Sequence, residues 1–380
     1  MFYYLLSLFG YGTDCDTYLM IRTGQQALST FVYMPSRPPG YFVPEMIIGI
    51  TSLLGAFYLS NLVSAIMGTF ALFLFWRLLK NYLDSTTAVL IVLVVGLNPY
   101  YIIAASSSMD YIYSLFLIMC GIALLDKRWY LASAPCFAMA ISCRLSNVLI
   151  VGAIYLFLLY IHFRRTDRRD LAPIAKSIGI ASVLGGLLYI PSFIAYDYSL
   201  AFLTYSVADW SVLEHLYRFI YKNAHLLGLL PLIIILTSSF YSVVRRHRHP
   251  RVPFVTLGIV IVVLQEVLFF KIPAEISYLL PLLFIVVPLW AIAIRQKRSV
   301  VVTVLVLTIV CNVAKFDILD IKYDAKTREA VAADVGVFVK RGSLMTDLMD
   351  RGRSQEFFFR EYGLSPEEPS FTVSYRQGAK

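Results

Sequence analysis

The sequence predicts an all-α fold: a polytopic transmembrane bundle of about 10–11 spans, given that a span needs roughly 20 apolar residues. Around it are expected an outer-face loop with interfacial helices and a small extracytoplasmic C-terminal tail. Three observations lead there. The 380 residues are 59% hydrophobic and 15% charged, with mean hydropathy +0.71, against about 25% charged in soluble domains. Apolar runs recur along most of the chain, too long for the alternating strands of a β-barrel. Finally, the Lys and Arg behind the net charge of +9 sit in short clusters between those runs. That is the positive-inside pattern of a membrane protein, not a nucleic-acid surface.

The apolar runs are 59–78, 86–104, 111–125, 129–143, 146–163, 175–192, 226–243, 252–270, 276–294 and 299–315. The basic clusters Arg77–Lys80, Lys127–Arg128, Arg164–Arg169, Arg245–Arg251 and Arg295–Arg298 all fall on the cytoplasmic side when an even number of crossings separates each pair. Five regions are then outside: 12–58, 106–110, 144–147, 193–225 and 271–277, with the tail from 316. Residues 43–58 read as an interfacial or re-entrant helix. The opening run Phe2–Tyr11 is too short to cross at helical rise and reads as half a span. The domain expectation is a transmembrane domain 1–315, with the first outer loop at 12–58, and a polar tail 316–380. In that tail Lys326–Lys340 has a helical apolar rhythm, Phe357–Phe359 could pack on the outer face, and Ser365–Ser370 reads as loop.

The five Cys are scattered without a Cys-x-x-Cys, which indicates neither a disulfide framework nor a zinc site. His247 and His249 lie in a basic loop. Chemistry concentrates elsewhere. Asp14 and Asp16, at the first loop's start, can deprotonate a hydroxyl or hold a divalent cation such as Mg or Mn; the plain alternative is that Asp16 caps a helix Tyr18–Leu28. Ser36-Arg37-Pro38-Pro39-Gly40-Tyr41 is a stiff turn that could aim Arg37 at a phosphate or sugar, or simply a rigid surface turn. Tyr41 and Glu45 complete that loop's substrate-binding set. Asp110 follows three serines and either caps the helix Tyr111–Leu125 or faces the outer cavity. Arg144 sits at a hairpin tip, placed to bind an anion or to snorkel to headgroups. Lys271, Glu275 and Tyr278, beside Gln265 and Glu266, form an outer junction that could grip a lipid phosphate; an interfacial Lys/Tyr belt is the alternative.

At these residues the chain resembles the GT-C membrane glycosyltransferases, which use polyprenyl-phosphate-linked sugars and include protein mannosyltransferase and aminoarabinose transferase relatives. The matching features, over about residues 1–300, are Asp14/Asp16 in the first outer loop, Pro38-Pro39 later in it, Asp110, and Tyr278-Leu279-Leu280-Pro281. Gly12-Thr13, then Asp16-Thr17-Tyr18, then Ser-Arg-Pro-Pro-Gly-Tyr carries most of the likeness. The resemblance implies an inverting transfer at the extracytoplasmic face of the plasma membrane, from a polyprenyl-phosphate sugar to a glycan, lipid or protein hydroxyl. It makes Asp16 the general base, with Asp14 tuning it or helping to bind a metal. Arg37, Arg144 and Lys271 would hold phosphate; Asp110, Glu275 and Tyr278 would line the sugar pocket. Competing readings are a transporter or lipid flippase, favoured by polar residues at mid-bilayer such as Asn98 and Glu266, and a non-catalytic subunit of an envelope-polysaccharide assembly.

Overall fold

The computed structural model describes residues 1–164, 169–199, 211–244, 253–323 and 330–362. Much of the basic loops Arg164–Arg169 and Arg245–Arg251, His247 and His249, the middle of the 193–225 region, and Ser365–Ser370 lie outside them. In chain order the helices are α1 (Phe2–Ser7), α2 (Cys15–Thr30), α3 (Phe42–Leu79), α4 (Ser85–Gly96), α5 (Pro99–Ala105), α6 (Asp110–Asp126), α7 (Tyr130–Cys143), α8 (Asn147–Arg164), α9 (Leu171–Leu188), α10 (Ile190–Ala195), α11 (Val212–Leu227), α12 (Leu229–Val244), α13 (Pro253–Lys271), α14 (Leu280–Ala293), α15 (Arg298–Val313) and α16 (Ser343–Tyr362). Strands β1 (Ala314–Tyr323) and β2 (Ala330–Arg341) precede α16.

Three stretches are long and apolar enough to cross a membrane: α3, Leu171–Ala195 and Ile276–Ala293. Two bent pairs, α4 with α5 at 72° and α11 with Leu229–Ser242 at 87°, raise this to up to five among the described residues. The expected runs 111–125, 129–143, 146–163, 252–270 and 299–315 are all apolar helices (α6, α7, α8, α13 and α15). The expected interfacial helix 43–58 is the first part of α3. Gly55 (φ −162°, ψ 29°) and Ala56 (φ 48°, ψ −144°) break it there, before the expected span begins. The helical reading of Lys326–Lys340 is corrected: Ala330–Arg341 is β2, antiparallel to β1, with Lys315 opposite Lys340 and Phe316 opposite Val339. Val335, Val337 and Val339 recur every second residue. β-branched side chains lose rotamer freedom in a helix and fit a pleated strand, so the period of two favours the strand that pairing with β1 completes.

The chain forms two compact units: Met1–Ala71 with Ala104–Ser206 and Leu348–Lys380, and Leu72–Ile103 with Val207–Asp347. In the first, α2 crosses α3 at Gly24 and Gly49. A Cβ on Gly24 would run into the Glu45 carbonyl and the Gly49 backbone, so glycine is needed for close approach rather than for its φ. We expect Gly24→Ala to cost about 1–3 kcal/mol by forcing the helices apart, despite alanine's better helix propensity; thermal unfolding in detergent reads it. Asn61 Nδ2 donates to the Ser7 and Gly10 carbonyls at 2.9 and 2.7 Å. The Ser108 hydroxyl bonds Ser60 and Asn61 at 2.7 Å each. Arg351, 0% exposed, fastens α16 by donating to the Ser106 carbonyl (2.7 Å), the Ser106 hydroxyl (2.9 Å) and the Leu6 carbonyl (3.2 Å). The Phe357–Phe359 run packs inward in part: Phe358 stacks on Tyr18 at 4.9 Å, and Phe359 meets Tyr11 and Tyr18 edge-on.

In the second unit Phe284 lies against Phe75 (4.6 Å) and Tyr101 (5.8 Å). Asn98 is spent structurally. Its Oδ1 accepts from the Tyr100 amide at 3.0 Å and its Nδ2 donates to the Leu226 carbonyl at 2.7 Å. Glu266 accepts from Asn223 at 3.0 Å. The two mid-bilayer polar residues that favoured a transporter thus have local partners.

Candidate active site

The first unit brings together three of the five polar regions expected outside. The loop 12–58, the junction 106–110 and the hairpin tip 144–147 meet at one chain of charges: Asp16, Arg37, Asp110 and Arg144. Arg37 pairs with Asp16 Oδ2 through one guanidinium nitrogen and with Asp110 Oδ1 at 3.1 Å through the other. Asp110 Oδ2 takes Arg144 at 2.7 Å. Both guanidinium groups lie over aromatic rings, Arg37 over Tyr41 at 4.5 Å and Arg144 over Tyr111 at 4.3 Å, an arrangement that stabilises a cation away from bulk water.

Local folding explains who does what. Asp14, not Asp16, caps α2: its carboxylate accepts the Asp16 amide at 3.0 Å. That corrects the capping reading of Asp16 and leaves its carboxylate for Arg37. Asp110 does not cap α6 either. It is the first helical residue, the N-cap is Met109, and no side-chain cap bond forms. Its carboxylate is 0% exposed and bridges the two arginines, whereas Asp16 is 17% exposed. Of the two acids paired with Arg37, Asp16 is the one open to solvent. Arg144 does not snorkel; it turns in to Asp110.

The Pro-Pro turn is anchored from behind. Glu45, fully buried, accepts from the Ser36 amide at 3.0 Å and from the hydroxyls of Ser36 and Tyr33. Burial, then the Glu45 charge, push the Tyr33 phenol far above its ordinary pKa, so it remains a neutral donor. Gly40 takes φ +99°, where a side chain would be strained and would strike Ser192. Arg37 is thereby held rigidly. Burial works against its charge, but Asp110, then Tyr41 and Asp16, keep the guanidinium protonated well above its usual range. Its buried Nε has neither a hydrogen bond nor an ion pair among the described residues.

Lys271, Glu275 and Tyr278 belong to the second unit. Lys271 ends α13, and Tyr278 lies in a short 3-10 turn, Ile276–Leu279. The Tyr278 carbonyl accepts from Gln265 at 2.9 Å. Lys222 donates to the Ala274 carbonyl and His215 meets the Phe270 carbonyl, so the remaining two expected outer regions meet each other there. Sequence reading missed Tyr33, Ser36 and Tyr111. Their side chains act through contacts across the fold, and only the proximity of Ser36 and Tyr33 to Arg37 in the chain hinted at them.

Asp14, Cys15 and Asp16 have ligand atoms within 4.8 Å of one another. They fit a resident Mg or Mn poorly. Asp14 is spent on the cap, Asp16 is neutralised by Arg37, and the third group is a soft thiol, whereas hard cations require several oxygens.

If Asp14 acts only as a cap, Asp14→Ala should cost about 1 kcal/mol, while Asp14→Asn, an equally good cap, should leave stability and activity close to wild type. Paired unfolding and turnover assays check this.

Together the apolar helices define a polytopic helical membrane protein, and solved structures share its fold. Two crystal structures of ArnT from Cupriavidus metallidurans share this fold. The apo form aligns with TM-score 0.59 and 13% identity over 78% of this chain and 59% of that one. The form bound to undecaprenyl phosphate aligns with TM-score 0.62 and 12% identity over 82% and 62%. At such identity the likeness is one of fold, and this chain spans about three fifths of that protein's length. No protein family and no curated protein matches the chain.

Proposed function

We propose that this chain is a membrane glycosyltransferase that moves a sugar from a polyprenyl-phosphate-linked donor to an acceptor hydroxyl, with inversion, at the extracytoplasmic face of the membrane. The observation that carries the reading is the Asp16–Arg37–Asp110–Arg144 chain, a reachable carboxylate joined to two anchored cations. The shared fold with an ArnT that binds undecaprenyl phosphate supports the lipid-phosphate donor.

In this reading Asp16 removes the proton of the acceptor hydroxyl as that oxygen attacks the anomeric carbon. The bond to the lipid phosphate oxygen breaks, and Arg37 and Arg144 stabilise the charge that develops on it. Arg37 has a second task. It pairs with Asp16. A phosphate that takes over the guanidinium, including the idle Nε, frees the carboxylate to act as base. Donor therefore binds before the base is available. Asp110 stays behind both arginines as their fixed counter-charge, and Glu45 holds the turn. Lys271 is kept as a proposed phosphate contact, and Glu275 and Tyr278 as proposed sugar contacts; the step above uses none of them.

The test is release of free polyprenyl phosphate by purified protein in lipid from a panel of polyprenyl-phosphate sugars. Turnover with at least one donor supports the reading; folded protein that releases none from any donor overturns it. Because the donor set disfavours a resident Mg or Mn, we expect chelation by EDTA to change the rate by less than about twofold. An EDTA-dependent collapse, restored by Mg or Mn, would instead assign Asp14 and Asp16 to a metal.

A further inference from the structure

The turn between α14 and α15 carries a basic cavity in the second unit that the proposed transfer does not use. Arg295 and Gln296 both adopt left-handed backbone, φ 55° and 56°, a conformation unfavourable for residues with a Cβ. The turn is pinned on one side: Gln296 Oε1 accepts the Asp84 amide at 3.0 Å, and Arg298 pairs with the Asp84 carboxylate at 2.9 Å. Arg298 is thus spent. Arg295 and Lys297 instead border a cavity of about 340 Å³ whose walls include Ile234, Thr237, Tyr241 and Val300. Lys297 lies over the Tyr241 ring at 5.7 Å, and Arg295 makes no ion pair among the described residues. Thr237 donates its hydroxyl proton to the Ile233 carbonyl at 2.7 Å, which leaves its lone pairs to accept from a ligand hydroxyl.

We propose that this cavity binds the headgroup of an anionic membrane phospholipid. Two cations beside aliphatic walls match a lipid that presents a phosphate at the level where its acyl chain begins, and basic pockets between membrane helices take such headgroups. Thr237 suits a headgroup that carries hydroxyls, as phosphatidylglycerol does. A zwitterionic headgroup would set its own ammonium against Arg295 and Lys297. The site is independent of the transferase chemistry, so its test does not rest on that activity.

Delipidated protein in detergent would be titrated with phosphatidylglycerol, phosphatidylcholine or glycerol phosphate, read by native mass spectrometry and melting temperature. Each of the two cations near an anionic headgroup contributes about a factor of 5, so phosphatidylglycerol should bind about 25-fold more tightly than phosphatidylcholine. The double variant Arg295→Gln/Lys297→Gln should lose that preference. Val300→Phe, which keeps both cations and narrows the cavity, should lose the bound lipid as well and covers the case in which the double variant fails to fold. Equal binding of the two lipids, or a preference that survives in the folded double variant, overturns the proposal. So does stabilisation by glycerol phosphate equal to that by phosphatidylglycerol, which would make this a site for soluble anions.

Discussion

Asp16→Asn is expected to lower polyprenyl phosphate release by about 10²–10⁴-fold, the usual contribution of a positioned general base, while leaving the fold intact. The amide keeps the size of the carboxylate and can still accept from Arg37, and the α2 cap belongs to Asp14, so no helix end is lost. The effect should fall on kcat, since Asp16 is not asked to hold the donor. Donor affinity should hold or rise, because Arg37 no longer has a full charge competing for it. A variant that keeps wild-type turnover would remove Asp16 from the chemistry. A variant that loses donor binding and keeps kcat would make it a binding residue instead.

The largest effect on stability is expected from Asp110→Ala. It removes the buried carboxylate that pairs with both Arg37 and Arg144. Breaking a buried ion pair by removing one partner costs about 3–5 kcal/mol, because the remaining charge stays buried. Adding Arg144→Met to Asp110→Ala should recover part of that loss, since the double change removes both charges and keeps much of the stem that packs on Tyr111. A double-mutant cycle by thermal unfolding measures the coupling. Additive losses, or a single variant within about 0.5 kcal/mol of wild type, the range of ordinary surface substitutions, would show that Asp110 is not the counter-charge of this site. Asp110→Ala should also abolish turnover, but through the arginines. Asp110 acts as a positioning residue, so donor KM should change before folding fails in milder variants such as Asp110→Glu.

What each of these residues does was only partly legible in the chain. Hydropathy runs identify the helices because burying backbone in lipid demands long apolar segments with internal hydrogen bonds; α6 to α9 and α12 to α15 fall on the expected runs. The boundary read at 58 falls close to the helix break, which the structure places at Gly55-Ala56. The candidates Asp16, Arg37, Asp110 and Arg144 were legible as charges at the edges of such runs, where ionic groups are costly unless paired or used. Their pairing was not. The capping role read for Asp16 belongs to Asp14, and Asp16 pairs instead with Arg37, which arrives from beyond the helix on a turn anchored by Glu45. Asp110 could cap its own helix until two arginines, 73 and 34 positions away along the chain, competed for its oxygens. The strand at Ala330–Arg341 was misread because its pairing partner, and not its own rhythm alone, decided between two periods. Sequence by itself therefore determined the solvent, the helices and the residues with chemical potential, since these depend on local composition and period. Only the tertiary structure decided which carboxylate is buried, which is reachable and which cation faces it, because ion pairs and burial are properties of groups brought together from distant parts of the chain.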